Sequence, residues 1–316
     1  MRVVVVGAGM AGLTAARRIA DAGHDVSVID KGRRSGGRMA TKPLAGGACA
    51  DHGAQFFTVR TDAFAAAVAT WIADGTVHEW CRGFSSADGH PRYVASAGMV
   101  ELGRRLAVGL DVRQSVHVDA VRRTRGGWEV TWPETRWTQA GALEADVVVL
   151  TPPGPQASAL VAGEADAPGL IYAPMISLLV ALDDAPGVPP PGGVQLVDDP
   201  TWSWVGDNVA KGVSPVPAVT FHTRADVAVA RAGEEDEALT ADLLRAASPW
   251  LGRSNVLDAR LHRWRYATAI DAHPERCAVE ADGSLVFAGD GYGGARIEGA
   301  FLSGRAAAEA IGERTR

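Results

Sequence analysis

The stretch VVVVGAGMAG, residues 3–12, decides the fold. Its four consecutive valines predict a buried β-strand, and the G-x-G-x-x-G pattern that follows predicts a turn into a helix. In this pattern Gly7 permits the tight turn, Gly9 lets a pyrophosphate approach the backbone, and Gly12 lets the helix pack close to the strand. Free N–H groups and the dipole at the start of the helix favour an anion. The stretch therefore predicts a dinucleotide-binding domain.

A second predicted strand, DVSVI at residues 25–29, ends at Asp30. This carboxylate follows Gly12 by 18 residues, close to the place where an acidic residue accepts a hydrogen bond from a ribose hydroxyl. The alternative interpretation of Gly7–Gly12 is a tight strand–helix turn that binds nothing. The strand before the pattern, the helix after it and Asp30 together favour the dinucleotide.

Another glycine-rich turn lies near the carboxyl terminus. The stretch LVFAGDG, residues 285–291, predicts a strand that ends in a turn with Asp290 at its tip. Glu298-Gly299-Ala300 and a predicted helix follow. A chain that bound only NAD would need the first site and not this one. The two sites together therefore indicate FAD.

The stretch RSGGRMAT, residues 34–41, comes soon after Asp30. Its glycine pair lets the backbone pass close to a bulky planar ligand. Arg38 supplies a planar cation that suits pyrophosphate or flavin oxygens. The alternative is a basic surface loop. The pattern R-x-G-G-R-x-x-T resembles the second FAD signature of the amine-oxidase-like flavoproteins, and DHGAQFF at residues 51–57 resembles the segment that passes beside their isoalloxazine ring.

Further stretches resemble one branch of these flavoproteins, the renalase family. They are residues 51–57, YVASAGM at 93–99, WRYA at 264–267 and residues 287–304. The resemblance runs nearly end to end and is weakest from about residue 154 to 200. It implies an FAD enzyme that oxidises off-pathway dihydro isomers of NAD(P)H to NAD(P)+, with oxygen as the electron acceptor. A length of 316 residues also favours this branch, because amine oxidases proper are longer.

The resemblance implies a set of flavin-binding residues. It places the flavin pyrimidine over a helix predicted at residues 299–311, whose N-terminus would stabilise negative charge on the reduced flavin. It also implies that Asp290 accepts a hydrogen bond from a ribityl hydroxyl. We expect non-covalent FAD, because no cysteine or histidine lies in a recognised attachment motif. The predicted FAD-binding residues are Gly7, Gly9, Met10, Ala11, Gly12, Asp30, Lys31, Gly37, Arg38, Met39, Gln55, Phe56, Gly289, Asp290, Glu298, Gly299 and Ala300.

Candidate substrate-binding residues lie in the second half of the chain. Hydride transfer to a flavin requires stacking, orientation and electrostatics from the protein. Trp264 supplies flat aromatic surface, and Asn208 matches a family position from which it would orient a carboxamide. For the aromatic residues the alternative is core packing, and for a lone histidine it is a structural role. The predicted catalytic residues are Trp264, Asn208, Tyr266 and His222.

The fold class predicted from these patterns is α/β. A Rossmann-type FAD-binding domain is joined to a second, α+β substrate domain with a mostly antiparallel sheet. A chain of this length usually forms two domains. The FAD-binding domain is predicted at residues 1–75, 94–153 and 267–316, and the substrate domain at 76–93 and 154–266. Predicted helices span 11–22, 62–73, 98–109, 235–250 and 299–311; predicted strands span 3–6, 25–29, 76–93, 112–117, 127–132, 145–151, 176–182, 194–197, 202–206, 218–222 and 285–287.

Composition restricts the class of protein. A net charge of −6 offers no basic face for nucleic acid, and no apolar run reaches the ~18 residues of a membrane helix. The chain starts directly on its first strand, so we expect no signal peptide. Three cysteines far apart, without a C-x-x-C motif, are typical of a reducing cytoplasm. No histidine pair has metal-ligand spacing, so we expect no metal.

Three functions remain open from the sequence. The first is oxidation of a dihydronicotinamide dinucleotide, with this small molecule and O2 as the expected partners. The second is oxidation or dehydrogenation of a small amine or another metabolite. In amine oxidases a lysine commonly holds a water near flavin N5, and Lys211, in a predicted glycine-rich turn, is a weak candidate for that role. The third is a non-catalytic flavin-binding module.

Overall fold

The computed structural model describes residues 1–84 and 87–314. Its helices are α1 Met10–Asp21, α2 Asp62–Ala73, α3 Val100–Ala107, α4 Gly154–Leu160, α5 Ala225–Ala230, α6 Asp236–Ala247 and α7 Arg296–Arg314. Its strands are β1 Arg2–Val6, β2 Asp25–Asp30, β3 Thr41–Pro43, β4 Cys49–Asp51, β5 Val77–Gly83, β6 Ala87–Ala95, β7 Asp111–Gln114, β8 Ala120–Thr124, β9 Gly127–Trp132, β10 Gly141–Ala145, β11 Val147–Leu150, β12 Ile171–Leu182, β13 Gly193–Gln195, β14 Trp202–Asp207, β15 Ala218–Thr223, β16 Val256–Asp271, β17 Ala278–Val279 and β18 Leu285–Phe287.

The described residues divide into two units. Unit 1 comprises residues 1–37, 103–172 and those from 268 onward, and unit 2 comprises residues 38–102 and 173–267. The predicted domains divide the chain differently. Residues 38–75 and 94–102 lie in unit 2, because the β3–β4 hairpin is hydrogen-bonded to β15 there. Residues 154–172 lie in unit 1, because Ala157 and Val161 of that segment join its hydrophobic core.

Unit 1 is built on a six-stranded sheet with the order β17-β18-β11-β1-β2-β7. Every pairing in it is parallel except that of β17 with β18. Residues Val3–Val6 and Val147–Leu150 are buried along their whole length, as the uninterrupted valine run predicts for a parallel sheet covered on both faces. The carboxyl ends of these strands meet at one edge, which is where open α/β sheets bind ligands. The three-stranded sheet β10-β9-β8 also belongs to unit 1.

Helices α1 and α7 pack together within unit 1. Leu13 and Ile19 of α1 share a buried cluster with Ala307 and Ile311 of α7. The helices approach closely at Gly304, where an added Cβ would clash with the backbone carbonyl of Ala11. The absence of a side chain at this position therefore sets the spacing between the two helices.

Unit 2 is built on a five-stranded sheet with the order β13-β14-β15-β12-β16. Its pairings β12–β15, β13–β14 and β14–β15 are antiparallel. Side chains of β12 alternate between two cores, as the period of a strand requires. Leu178 and Val180 pack in one core with Leu239 and Leu243 of α6, while Leu179 packs in the other with residues of the β3–β4 hairpin. The sheet is therefore covered on both faces.

Several predicted elements differ from the structure. Residues 76–93 were expected as one strand, but they form the antiparallel pair β5 and β6, with residues 85–86 outside the described part of the chain. Strand β16 was not expected, because its many arginines break the apolar pattern of a buried strand. Strands β8 and β10 and helices α4 and α5 were also not expected. Within residues 1–84 and 87–314, no helix combines the length and apolarity needed to cross a membrane.

Substitution of Gly304 tests the contact between α1 and α7. Gly304→Ala should lower the free energy of unfolding by about 1–3 kcal/mol, because the added methyl group forces the helices apart. The matched control is Gly312→Ala in the same helix, where an added Cβ meets nothing within 4 Å. That variant should be neutral or more stable by up to about 1 kcal/mol, because alanine favours helix. Urea unfolding measures both, and equal effects would contradict the proposed close contact.

Candidate functional site

The three glycines of the first turn have different surroundings in unit 1. Gly7 has a φ of +108°, and a Cβ there would clash with Thr151 Oγ1. A Cβ on Gly12 would clash with the carbonyl oxygen of Gly7. At Gly9, by contrast, φ is −84° and a Cβ would meet no protein atom within 4 Å. Neither backbone conformation nor protein packing therefore requires glycine at position 9, whereas a ligand lying against the backbone does.

The N-terminus of α1 is free to receive an anion. Gly9 is its N-cap residue, offers no side chain to cap the helix, and is followed by no acidic residue in the first turn. Met10 and Ala11 of that turn are buried. Gly37, with a φ of +57°, passes so near that a Cβ on it would lie 3.2 Å from the Gly9 Cα. The N–H groups and the helix dipole at this turn suit a phosphate.

Asp30 is the last residue of β2 and is half-buried. Its Oδ2 accepts from the Ala8 N–H at 2.6 Å, and its Oδ1 accepts from the Gly32 N–H at 2.5 Å. The carboxylate is thereby fixed beside the glycine turn. The next residue, Lys31, is exposed and lines a cavity of about 350 Å³ together with Arg33, Ser115, His117, Thr135 and Trp137.

The carboxyl-terminal turn lies on the same sheet. Gly289 follows β18 with a φ of +137°, and its N–H donates to Ser303 Oγ of α7 at 2.8 Å. Asp290 is 7% exposed. Glu298 is half-buried, and Gly299 and Ala300 are buried, all in the first turns of α7. The structure thus gathers the predicted glycine turns and both acids in unit 1, while Arg38, Met39, Gln55 and Phe56 belong to unit 2.

A buried ion pair lies at the centre of unit 2. Lys211 Nζ donates to Asp51 Oδ2 at 3.1 Å, and both side chains are 0% exposed. Asp51 Oδ1 also accepts from Thr41 Oγ1 at 2.6 Å and from the Met99 N–H at 2.9 Å. Burial lowers the pKa of Lys211, and the neighbouring Asp51 carboxylate opposes that shift. The lysine is thus enclosed by protein.

The amide of Gln55 has one possible orientation. Its Oε1 accepts from Lys211 Nζ at 2.9 Å and from Trp204 Nε1 at 3.2 Å. Its Nε2 donates to the carbonyl oxygens of Asp51 at 2.7 Å and Gly53 at 3.2 Å. Reversing the amide would set donor against donor and oxygen against oxygen. The Gln55 Nε2, whose two protons face the Asp51 and Gly53 carbonyls, also lies 3.3 Å from His222 Nε2.

Two of the predicted catalytic residues have their polar atoms occupied inside unit 2. Asn208 Oδ1 accepts from the Asp51 N–H at 3.2 Å, and its Nδ2 donates to Thr220 Oγ1 at 3.0 Å and to the Ala218 carbonyl at 3.3 Å. His222 faces Gln55 with one ring nitrogen and is hydrogen-bonded to the backbone of His52. Both residues are buried. Their hydrogen bonds tie the turn after β14 and strand β15 to the end of β4 and the segment that follows it.

The other two, Trp264 and Tyr266, lie on one face of β16, because residues two apart in a strand point to the same side. Trp264 is half-buried, stacks on His52 at a ring-centroid distance of 5.2 Å, and donates from Nε1 to the His52 carbonyl at 2.7 Å. His262 shares this face and packs edge-on against Trp264 at 4.3 Å and His52 at 4.5 Å. Arg38 donates to the carbonyl oxygens of Tyr266 at 3.3 Å and Ala267 at 3.2 Å.

His52 and His262 were not predicted as site residues. The signal that reveals His262 is its spacing from Trp264 and Tyr266, which is that of one strand face once β16 is recognised as a strand. No local pattern reveals His52, which contacts these residues from outside β16. We call His52, His262, Trp264 and Tyr266 the imidazole–indole face.

All three histidines of this region are neutral near pH 7. Burial, the neighbouring His262 and the Lys42 charge lower the pKa of His52 to about 3. Burial and the Lys211 charge lower the pKa of His222 to about 3, although its bond to the His52 backbone acts in the opposite direction. Burial and Lys42 lower the pKa of His262 to about 4.

Comparison with protein families agrees with this geometry. The parallel sheet and its glycine turn define a Rossmann-type dinucleotide-binding fold, and a profile of NAD(P)-binding Rossmann-like domains matches residues 5–70. The profile described as Flavin containing amine oxidoreductase matches residues 63–312. The chain therefore belongs to the flavin-containing amine oxidoreductase family.

Individual relatives are similar over part or all of the chain. A hydroxyneurosporene desaturase of Rubrivivax gelatinosus is 49% identical over 72 residues, which are 22% of this chain and 14% of the desaturase. The solved structure of an oxidoreductase from Methanosarcina mazei has a TM-score of 0.65 at 17% identity and covers 98% of this chain and 100% of that one. A putrescine oxidase with bound putrescine has a TM-score of 0.66 at 16% identity and covers 99% of both chains. These two structures share the fold.

FAD is the cofactor that the family and the fold define for this chain, and the residues of unit 1 fit it. The uncapped N-terminus of α1 and the open space at Gly9 suit the pyrophosphate. Asp30 stands at the end of β2, where a ribose hydroxyl donates in such domains.

Substitution of Gly9 separates ligand binding from folding. Gly9→Ala should weaken FAD binding strongly, because the methyl group occupies the space through which phosphates approach the backbone. The apoprotein should lose only about 0.5–1 kcal/mol of unfolding free energy, the difference between glycine and alanine as N-cap. The control, Gly12→Ala, should destabilise the apoprotein more, because its Cβ clashes with the Gly7 carbonyl. Fluorescence titration with FAD and urea unfolding measure the two effects. Unchanged FAD affinity in Gly9→Ala would contradict the placement of the pyrophosphate at Gly9.

The histidine pKa values predict how stability depends on pH. In the unfolded chain the His222 imidazole takes up a proton below about pH 6.5. In the folded protein it does so only at about pH 3. The stabilising contribution of neutral His222 is thus complete above about pH 6.5 and is lost progressively as the pH falls toward 3. We expect the urea midpoint to fall between about pH 7 and about pH 5. His222→Gln should reduce that pH dependence, and an identical slope in the variant would contradict the assignment.

Proposed function

We propose that the protein is an FAD-dependent oxidase of dihydronicotinamide substrates, which returns 2- or 6-dihydro isomers of NAD(P) to NAD(P)+ with oxygen as the electron acceptor. The observation that carries this proposal is the imidazole–indole face of unit 2. It presents a half-buried indole held by a hydrogen bond to the His52 carbonyl, with a second aromatic ring, Tyr266, on the same side of β16. A fixed flat surface suits a flat heteroaromatic substrate.

The charge around this face also favours a dihydronicotinamide. The charged or ionisable groups that act on the His52 imidazole are His262, Lys42 and His222, and Lys42 also acts on the His262 imidazole. A protonated amine at these imidazoles would be repelled by the Lys42 ammonium group. A neutral dihydronicotinamide carries no such penalty, and the phosphates of its dinucleotide would be attracted to Lys42.

In this proposal the residues of the chain hold and orient the substrate. Bound FAD supplies a two-electron acceptor for the hydride. Trp264 provides the stacking surface, and its hydrogen bond to the His52 carbonyl prevents the indole from rotating. Such orientation accounts for a large part of the rate in reactions where two planar groups must be aligned.

The second candidate is oxidation of a small amine or another metabolite, and membership of the flavin-containing amine oxidoreductase family favours it. The position of Lys211 weighs against an amine oxidase that uses a lysine-held water. Its ammonium group is 0% exposed and donates to Asp51 and Gln55, so it is engaged inside unit 2.

An anaerobic panel distinguishes the two candidates. The holoenzyme is mixed with 2-dihydroNAD(P), 6-dihydroNAD(P), ordinary β-NADH and a set of amines, and flavin bleaching is followed by stopped flow. We expect rapid bleaching by the dihydro isomers and slow bleaching by amines. Trp264→Ala should slow bleaching by one or more orders of magnitude while FAD stays bound, because the stacking surface is lost.

Rapid bleaching by an amine, with no response to the dihydro isomers, would replace the first candidate by the second. Bleaching of Trp264→Ala at the wild-type rate would show that the indole only packs in unit 2.

A further inference from the structure

The imidazole–indole face contains polar atoms that the protein itself does not use. The Nδ1 atom of His52 has no hydrogen-bond partner, although the residue is only 8% exposed. Among the described residues no group donates to or accepts from the ring nitrogens of His262 either; its neighbours are the rings of His52 and Trp264. Buried polar atoms are nearly always paired, so an unpaired one marks a place for a ligand or water.

Asn208 and His222 differ from His52 and His262, because their polar side-chain atoms are already hydrogen-bonded within the protein. The side-chain amide of Asn208 is bonded to Asp51, Thr220 and Ala218, and the ring nitrogens of His222 face Gln55 and the His52 backbone. Those groups are engaged within the protein. In the described part of the chain, the imidazoles of His52 and His262 lie next to Trp264 and have ring nitrogens without a hydrogen-bond partner.

Two neutral imidazoles match the hydrogen-bonding pattern of a primary carboxamide. A neutral imidazole has one N–H donor and one acceptor nitrogen. Two of them side by side offer donors and acceptors together, which matches a primary carboxamide with its C=O acceptor and NH2 donors. The nearby Lys42 charge and the surrounding burial both keep the rings neutral. A cationic group would find no counter-charge in this pair.

We propose that His52 and His262 are specificity-determining residues that bind the carboxamide of the substrate's nicotinamide ring while Trp264 stacks on that ring. This inference rests on the proposed function for the identity of the substrate. In this proposal the carboxamide binds to these imidazoles and not to Asn208, whose amide is hydrogen-bonded within unit 2.

The test removes the ring nitrogens and keeps the rings. In the holoenzyme, His262→Phe retains an aromatic edge against Trp264 but has no hydrogen-bonding atom. The double variant His52→Phe/His262→Phe removes both imidazoles. The matched control is His90→Phe, which changes an exposed histidine of β6. FAD content and the urea midpoint of every variant are measured first, and His262→Phe is the decisive protein if the double variant does not fold.

Two readouts are compared for each protein. The first is binding of nicotinamide to the oxidised holoenzyme, followed by the flavin spectrum. The second is the half-saturation concentration for anaerobic flavin reduction by a dihydroNAD isomer and by its 3-acetylpyridine analogue, which lacks the carboxamide NH2. We expect His262→Phe to weaken nicotinamide binding by roughly 2- to 12-fold, the effect of one neutral hydrogen bond. The wild-type preference for the carboxamide over the acetyl analogue should shrink by a similar factor, and His90→Phe should match the wild type.

The outcomes separate this inference from the proposed function. Rapid reduction by dihydroNAD isomers with the same preference in wild type and His262→Phe overturns the inference and leaves the function intact. Nicotinamide binding that His262→Phe weakens, without reduction by any dihydro isomer, supports the carboxamide site and overturns the function. A wild-type holoenzyme that neither binds nicotinamide nor reacts with the isomers overturns both.

Discussion

The arrangement of unit 2 depends on the ion pair between Lys211 and Asp51. Both side chains are withdrawn from solvent, so either charge alone would be a buried, uncompensated ion, at a cost of about 3–5 kcal/mol. Asp51 extends the constraint through Thr41 Oγ1 and the Met99 N–H, and Lys211 extends it through Gln55. Segments far apart in the sequence are thereby held against one another around a single charged pair.

The hydrogen bonds around the Lys211–Asp51 pair extend to the residues that position Trp264. The His52 carbonyl accepts from Trp264 Nε1 and from Ser177 Oγ, each at 2.7 Å. Asp51 precedes His52 in the chain, and His222 is hydrogen-bonded to the backbone of His52. The position of the indole is thus set by groups that do not touch it. The hydrogen bonds of these buried groups fix the position of the indole, and among the described residues the His52 Nδ1 beside it has no partner.

The sequence predicted unit 1 better than unit 2, for a physical reason. The reasons for glycine at positions 7, 9 and 12 arise within a few residues, so the local pattern shows them directly. The valine run of β1 likewise predicts a buried parallel strand. The Lys211–Asp51 pair joins residues 160 apart, which no local pattern reveals. The role of Asn208 also depends on whether its amide is already bonded, and only the structure contains that fact. Strand β16 was missed because its arginines hide its alternation.

Strand β16 also limits which changes in length the chain can accept. Its face carries His262, Trp264 and Tyr266, and the intervening positions are Arg263 and Arg265. Because the side-chain period of a strand is two, insertion or deletion of one residue ahead of His262 would exchange the aromatic face for the two guanidinium groups. A change of length is therefore accommodated more readily in the loop before Val256 than within the strand, where one inserted or deleted residue would turn Trp264 to the opposite face.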